Sequence, residues 1–288
     1  MLGVIAPDGS MDVIGVDVGG TTVRAVAFDG DLAVVAGRHA PTPTGASAIA
    51  ELVGDLVRDL AGAGASAPAL VAVGLPGRVD PEAGTVATAV NLGLADAVPM
   101  AALIADATGS PVHIENDVNA AALGTFAYLG LDGGASLAYV NVGTGIAAGF
   151  VLGGRLWRGA TGGAGEIGHV PMRPGGPPCT CGQVGCAEAV GSGRAASGDA
   201  DRRADVVDTV AWTVQLAVMT LDVDVVAVGG GMTERPGFAD ALRDELDRRA
   251  ASSRMLAAAG LAGRVRAAPA GIPVGSVGAV LAARSTAR

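Results

Sequence analysis

The chain has 288 residues, half of them hydrophobic and only 16% charged, which suits two α/β lobes or one large globular domain. The net charge of -9 and the lack of any basic run argue against nucleic acid as a partner. The sequence contains no lysine: all 19 basic residues are arginine. This excludes Walker A NTPases, protein kinases, pyridoxal enzymes and Schiff-base aldolases, because each of these classes needs a lysine.

Neither a signal peptide nor a membrane helix is expected. The first eleven residues carry no Lys or Arg. Residues 133–154 are uncharged, but their seven glycines favour two strands and a turn over a membrane span. We therefore expect a cytoplasmic protein with no membrane partner.

The first half of the chain reads as a small α/β lobe. After an N-terminal extension, residues 1–11, a strand at Val13–Val18 and a strand at Val23–Phe28 flank Gly19-Gly20-Thr21-Thr22, which predicts a hairpin. The further predicted elements are a helix at Ala46–Ala61, a strand at Leu70–Leu75, a helix at Val98–Thr108, a strand at Val112–Glu115, and a helix from Asn116-Asp117 to Tyr128.

The second half repeats the strand, Gly-Thr turn, strand pattern. The repeat predicts two related lobes around a cleft, a small lobe at residues 12–115 and a large lobe at residues 116–276. The final segment, residues 277–288, is a candidate to cross back to the small lobe. The predicted elements are strands at Ser136–Val142 and Ile146–Leu152 around Gly143-Thr144-Gly145, a Gly/Pro/Cys-rich loop at residues 159–185, a helix at Val206–Leu221, a strand at Val223–Val228 before Gly229-Gly230-Gly231, and helices at Pro236–Ala251 and Val277–Arg284.

All three cysteines fall within eight residues, and His169 precedes them by ten. Cys179, Cys181, Cys186 and His169 are the ligand types of a closed, tetrahedral structural zinc site. A disulfide fits less well, because the cysteine count is odd and the compartment is expected to be reducing. Three ordinary thiols in a loop remain the alternative.

Two carboxylates lie beside this predicted zinc loop. Glu166 precedes His169 by three residues, and Glu188 follows Cys186 by two. With the second ring nitrogen of His169, they would present hydrogen-bonding groups suited to a polyol. Either glutamate alone could equally be a solvated surface residue.

Three glycine clusters are candidates for binding a nucleotide. Gly19 and Gly20 allow close approach of the backbone to phosphate, Thr21 and Thr22 offer hydroxyl donors, and Asp17 could hold Mg²⁺ through water. Gly143-Thr144-Gly145 could act in the same way in the second lobe, and Gly229-Gly230-Gly231 could receive the adenosine. A Gly-Gly hairpin alone is more often only a turn.

Asp117 begins a predicted helix directly after a strand. It is either a plain N-cap or, functionally, the general base for a sugar hydroxyl group. Position and residue type alone favour the N-cap.

Together these motifs resemble the ROK family of bacterial sugar kinases and sugar-responsive repressors, from Val13 to Ala282. The resemblance rests on Asp17-Val-Gly-Gly-Thr21, Glu115-Asn-Asp-Val-Asn-Ala-Ala-Ala-Leu-Gly124, Gly143-Thr-Gly-Ile146, Gly165-Glu-Ile-Gly-His169 and Cys179-Thr-Cys-Gly-Gln-Val-Gly-Cys-Ala-Glu188.

The resemblance implies a two-lobed, actin-like ATPase (ribonuclease H-like) fold with a structural zinc loop, in a homodimer or homotetramer. It implies that Asp117 is the catalytic base, and that the sugar is bound by Asn116, Glu166, His169 and Glu188, with Gly77, Arg78 and Asn91 from the small lobe. This sequence departs from the family pattern at Thr22, Thr125 and Ala147, where the family commonly has Lys, Glu and Gly.

The function expected from these residues is ATP-dependent phosphorylation of a hexose, most plausibly glucose at O6, with Mg²⁺. Two other kinase activities stay open: an amino-sugar kinase, acting on N-acetylmannosamine, N-acetylglucosamine or kanosamine, and a cyclitol kinase. A DNA-binding repressor is not expected, since Asp17 lies too early for a preceding helix-turn-helix domain and the chain is acidic. A non-catalytic sugar sensor would be expected to have lost Asp117.

Overall fold

The computed structural model describes residues 13–62, 66–196 and 203–286. The predicted extension at residues 1–11 lies outside the described residues. Contacts divide the chain into two compact units. Unit 1 runs to Gly124 and resumes at Gly271, and unit 2 is Thr125–Ala270.

The strands are β1 (Val13–Val18), β2 (Thr22–Phe28), β3 (Val34–Pro41), β4 (Leu70–Leu75), β5 (Arg78–Asp80), β6 (Thr85–Ala87), β7 (Val112–Asn116), β8 (Leu137–Val142), β9 (Ile146–Leu152), β10 (Arg155–Trp157), β11 (Val225–Gly229) and β12 (Val265–Ala267). The helices are α1 (Ala46–Ala61), α2 (Met100–Thr108), α3 (Asp117–Tyr128), α4 (Ala187–Gly191), α5 (Arg203–Leu221), α6 (Phe238–Ser252), α7 (Arg254–Ala259), α8 (Leu261–Arg264) and α9 (Val274–Thr286).

Unit 1 is built on a five-stranded sheet in the order β3-β2-β1-β4-β7. The pairs β3–β2 and β2–β1 are antiparallel, whereas β4 and β7 run parallel to β1. Alternation along β1 sends Ile14, Val16 and Val18 into the core beneath α1 and α2. The opposite face of the sheet packs against α9 through a smaller cluster around Phe28.

Unit 2 repeats this topology, with the order β10-β9-β8-β11-β12 and the same succession of antiparallel and parallel pairs. Its core lies between the sheet and helices α5 and α6, where Val210, Val214 and Leu246 are buried. The α/β expectation is thus met by two mixed sheets that share one strand order.

The division between the units falls after Gly124, nine residues beyond the expected boundary at Glu115. The first two turns of α3 pack on α9. A Cβ at Gly124 would collide with the carbonyl group of Val274, and a Cβ at Gly278 would collide with that of Ala120. These backbone contacts hold the start of α3, and the segment from Gly271 onward, in unit 1.

Helix α5 contains the one segment of the described residues that is long and apolar enough to span a membrane, Ala204–Leu221. Half of this window is buried. Its apolar side chains, among them Val206, Val210 and Val214, belong to the core of unit 2. The packing is that of a core helix.

Candidate active site and cysteine cluster

In unit 1, the candidate residues gather where the central parallel strands end. Asp17 of β1 pairs in register with Gly74 of β4, which pairs with Glu115 of β7. Carboxyl ends of parallel strands that share one edge are the usual ligand-binding edge of α/β sheets. The pKa of Asp17 is raised above its ordinary value by burial, and the positive charge of Arg24 opposes that rise.

The predicted hairpin turn between β1 and β2 is present. The amide of Gly19 donates to the carbonyl of Thr22 (2.9 Å), and the hydroxyl of Thr42 donates to the carbonyl of Gly19 (2.7 Å). Gly20 and Thr21 are exposed at the tip, and the side chain of Asn91 lies beside Gly20. Hydrogen bonds at Gly19 therefore fix the base of the turn, and its tip is accessible to a ligand.

The start of α3 is capped by Asn116. Its Oδ1 accepts from the amides of Val118 and Asn119, each at 3.0 Å, which is the N-cap pattern. Its Nδ2 donates to the carbonyl of Gly77 (3.1 Å). This hydrogen bond joins Asn116 to Gly77, which is also predicted to bind the sugar. One hydrogen of the Asn116 side-chain amide is left for a ligand.

Asp117 is the first residue of α3, and its Cα lies 3.4 Å from where a Cβ on Gly74 would stand. Its Oδ1 accepts from the amide of Val118 at 2.9 Å. The plain N-cap interpretation of Asp117 is not needed, because Asn116 makes the capping hydrogen bonds. Arg78, which is also predicted to bind the sugar, is exposed on β5.

Sequence reasoning assigned no role to Glu115, although it is only 1% exposed. Its Oε1 accepts from the amide of Asn116 (2.9 Å) and from Nδ2 of Asn119 (3.3 Å). The position of a glutamate at the end of an apolar strand could have indicated this burial. A buried carboxylate needs hydrogen-bond donors, and Asn116 and Asn119 supply them here.

In unit 2, the turn Gly143-Thr144-Gly145 joins β8 to β9, as predicted. Glu188, in the first turn of α4, accepts from the amide of Ile146 through Oε2 (3.1 Å). A Cβ on Gly145 would overlap that carboxylate. The structure thus places the predicted acid Glu188 directly against the predicted phosphate turn.

Two further glycine turns surround this hairpin. The amide of Gly193 donates to the carbonyl of Gly143 (2.8 Å), and a Cβ on Gly230 would lie 2.6 Å from the carbonyl oxygen of Val142. Gly229 ends β11, and Gly231 is exposed with open space beside it. Gly143, Gly193 and Gly230 form one glycine-lined patch, of which Gly193 was not predicted.

The segment that carries His169 is fixed to β9 by two glycines. A Cβ on Gly165 would collide with the carbonyl of Ala148, and one on Gly168 would collide with that of Ile146. Gly168 also lies 3.4 Å, measured from the same ideal Cβ, from the Cβ of Glu188. These contacts connect the cysteine loop to the hairpin turn of unit 2.

His169 and the three cysteines converge, with one ligand atom from each lying within 4.8 Å of all the others. Nδ1 of His169 is 3.6 Å from Sγ of Cys179, and the sulfur atoms of Cys181 and Cys186 are 3.7 Å apart. Tetrahedral zinc with ordinary bond lengths would separate such atoms by about 3.6 and 3.8 Å. The donor set and spacing both fit zinc.

The three thiols lie in different surroundings. Hydrogen bonds, first from the backbone of Gln183 and then from its side chain, lower the pKa of Cys181 to about 6. Burial, the largest effect at Cys186, raises the pKa of that thiol to about 12. A bound cation would favour the thiolate at all three positions.

The ring of His169 turns Nδ1 toward Cys179, and Nε2 points the other way, 3.9 Å from Oε2 of Glu166. That distance is too long for a hydrogen bond. Glu166 is exposed. Nε2 of His169 therefore lies near the carboxylate of Glu166 without a hydrogen bond to it.

Comparison with known proteins places these features in a family. Residues 13–209 match the profile described as "ROK family". A glucokinase of Streptomyces coelicolor is 36% identical over 192 residues, 67% of this chain and 60% of that protein. The crystal structure of a ROK hexokinase from Thermus thermophilus is 32% identical, covers 93% of this chain and 96% of that one, and superposes with a TM-score of 0.72.

A ROK family glucokinase from Streptomyces griseus, solved in complex with glucose and AMPPNP, is 27% identical, with a TM-score of 0.77 over 95% of this chain and 99% of that one. Other curated relatives include N-acetylmannosamine kinases and xylose repressors. The matched part of the chain spans about three fifths of the length of the first curated relatives (56% and 60%). With the motifs, the duplicated sheet and the cysteine loop, the profile match shows that the chain belongs to the ROK family.

Proposed function

We propose that this chain is an ATP-dependent hexose kinase that converts glucose to glucose 6-phosphate, with Asp117 as the general base. The observation that carries the proposal is the placement of Asp117 at the carboxyl edge of the unit 1 sheet, while Asn116 makes the capping hydrogen bonds. A helix N-terminus favours the ionised carboxylate, which can then take the proton of a hydroxyl group. Strong basicity is not required, because positioning dominates in phosphoryl transfer.

The phosphates are proposed to bind the backbone amides and hydroxyl groups of the two Gly-Thr turns. These turns are Gly19, Gly20, Thr21 and Thr22 in unit 1, and Gly143, Thr144 and Gly145 in unit 2. Asp17 would hold Mg²⁺, which when bound to ATP neutralises charge on the phosphate oxygens. Gly229, Gly230 and Gly231 are the proposed adenosine contacts, since they lie at the end of β11 and directly after it, and Gly231 has open space beside it.

His169, Cys179, Cys181 and Cys186 are proposed to hold one structural zinc ion. The fit of the interatomic distances supports this assignment, and so does the completeness of the Cys₃His set. The ion would stabilise the loop and fix the tautomer of His169, without taking part in the reaction.

The sugar is proposed to contact Asn116, Gly77, Arg78 and Asn91 from unit 1, and Glu166, His169 and Glu188 from unit 2. The free Nε2 of His169 and the remaining amide hydrogen of Asn116 support these roles. The glucokinase relatives support glucose, whereas the N-acetylmannosamine kinases keep an amino sugar open as the alternative substrate. A non-catalytic sugar sensor agrees less well with the presence of Asp117.

Release of ADP or loss of polyphosphate should be followed over a panel of hexoses, amino sugars and cyclitols, with ATP and polyphosphate as parallel donors. We expect turnover with glucose and ATP. Absence of turnover with every sugar would refute the kinase proposal.

The role of Asp117 is tested by Asp117→Ala, which should abolish turnover and leave glucose binding, measured by calorimetry, within a few-fold of the wild-type value. Asp240→Asn is the matched control, since Asp240 is an exposed acid in the first turn of α6. Retained turnover in Asp117→Ala would show that Asp117 is not the general base.

We further propose a cytoplasmic homodimer or homotetramer, in keeping with the family resemblance. Light scattering of the purified chain checks the assembly.

A further inference from the structure

The first turn of α9 lies directly against Asp17. A Cβ built on Gly275 would stand 2.9 Å from Cγ of Asp17 and 3.1 Å from each carboxylate oxygen. Because Gly275 has no side chain, the carboxylate of Asp17 can lie directly against this turn of α9. Gly275 lies in unit 1, beyond residues 13–209 that match the family profile.

Other contacts fix α9 where it is. Around this helix, a Cβ on Gly15, Gly124 or Gly278 would collide with the backbone of Ser276, Val274 or Ala120, respectively. The helix therefore packs closely against both β1 and α3. At Gly275, in contrast, the atoms in the way are the end of one short side chain.

The backbone of Gly275 also differs from that of a turn glycine. It is not among the glycines with positive φ, and it lies within a helix. Alanine is a good residue for that conformation. Substitution by alanine should thus preserve α9 and act on the position of the Asp17 carboxylate alone.

We propose that Gly275 is the positioning residue for Asp17, and that the first turn of α9 sets where the Asp17 carboxylate meets the magnesium–nucleotide complex. The negative carboxylate at a helix N-terminus is in a favourable electrostatic position. This inference rests on the proposed function, because the contact between Asp17 and Mg²⁺ is part of it.

The test is Gly275→Ala, with Gly263→Ala as control. Gly263 is also helical, in α8, and nothing lies within 4 Å of its ideal Cβ. Calorimetry with AMPPNP and Mg²⁺ should show about 10-fold weaker binding for Gly275→Ala, since displacement of a liganding group by about 1 Å can cost more than this. The Mg²⁺ concentration for half-maximal turnover should rise, while sugar affinity and Tm stay near wild type. Gly263→Ala should match the wild type in every measurement.

A double-mutant cycle separates positioning from general disturbance. In an Asp17→Asn background, Gly275→Ala should weaken nucleotide binding no further, because the group it displaces has already been altered. An equal loss in both backgrounds would overturn the proposal, as would unchanged Mg²⁺–AMPPNP binding in Gly275→Ala.

Nucleotide binding is measured without sugar, so the outcome does not depend on finding a substrate. Wild-type protein that binds Mg²⁺–AMPPNP but phosphorylates no sugar would refute the proposed kinase activity and leave the role of Gly275 decided by the cycle. Wild-type protein that binds no Mg²⁺–AMPPNP would refute both.

Discussion

Asn116 serves two parts of unit 1 with a single side chain, because it caps α3 and holds the carbonyl of Gly77. Asn116→Ala removes both contacts and should lower the free energy of unfolding by about 1–2 kcal/mol, the usual cost of losing a good N-cap. Asn116→Asp keeps the acceptor for α3 but places an oxygen against the Gly77 carbonyl. It should lose less stability and still bind sugar more weakly.

Urea denaturation of the three proteins gives the unfolding free energies, and calorimetry gives the sugar affinities. Equal stability of Asn116→Ala and the wild type would show that the cap contributes nothing.

At the residue level, the sequence could predict which residue types meet, but not how adjacent ones divide their roles. Asn116 and Asp117 are equally good capping residues, so the position of the strand end decides between them. That position is set by the pairing of β7 with β4, which holds Asn116 opposite Leu75. The burial of Glu115 and the contact of Gly275 with Asp17 depend on packing between distant segments, which no local pattern contains.

At the level of elements, apolar periodicity located most helices and central strands. Helix α1 has the predicted bounds because its buried stripe has helical spacing. The edge strand β3 was missed because most of its side chains are exposed, and the short β10 is also largely exposed. Helix α9 begins at Val274 instead of Val277, since close backbone packing allows two glycines in its first turns.

The ion pairs that join α6 to α5 are expected to weaken at acid pH. Arg249 of α6 bonds Glu245 through Nε (2.7 Å) and Asp208 of α5 through a terminal nitrogen (2.5 Å). Burial would raise the pKa of Glu245, but hydrogen bonds and charges from Arg249 and Arg248 together lower it. Because the folded-state pKa lies below the unfolded value of about 4.3, the stabilisation is complete above that pH and is lost as the pH falls through the folded-state pKa.

The unfolding free energy of the wild type should therefore decrease from about pH 5 downward, and that of Glu245→Gln should decrease less over the same range. Urea denaturation at a series of pH values measures both. Glu51→Gln, an exposed substitution on α1, is the control and should follow the wild type. Identical pH profiles for all three proteins would show that Glu245 has no part in acid unfolding.

On the scale of the whole molecule, two units with one strand order each bury a separate core, and the repeated Gly-Thr hairpin in the sequence predicted this duplication. The units differ after their hairpins, because only unit 2 carries the cysteine loop at that point of the chain. All four proposed zinc ligands belong to unit 2. Loss of the metal should accordingly act first on that unit.

Removal of zinc by a chelator, or by Cys181→Ser, is expected to increase hydrogen exchange across residues 166–193 and in the β8–β9 hairpin. The hairpin should respond because Gly168 and Glu188 contact Ile146. Exchange in β1 and β4 should stay unchanged, since their core lies within unit 1. Sugar affinity should fall with the metal content, although no cysteine is a proposed sugar contact, because His169 and Glu188 lose their support. Metal loss with full sugar affinity would show that the zinc loop stabilises the fold and does not position these residues.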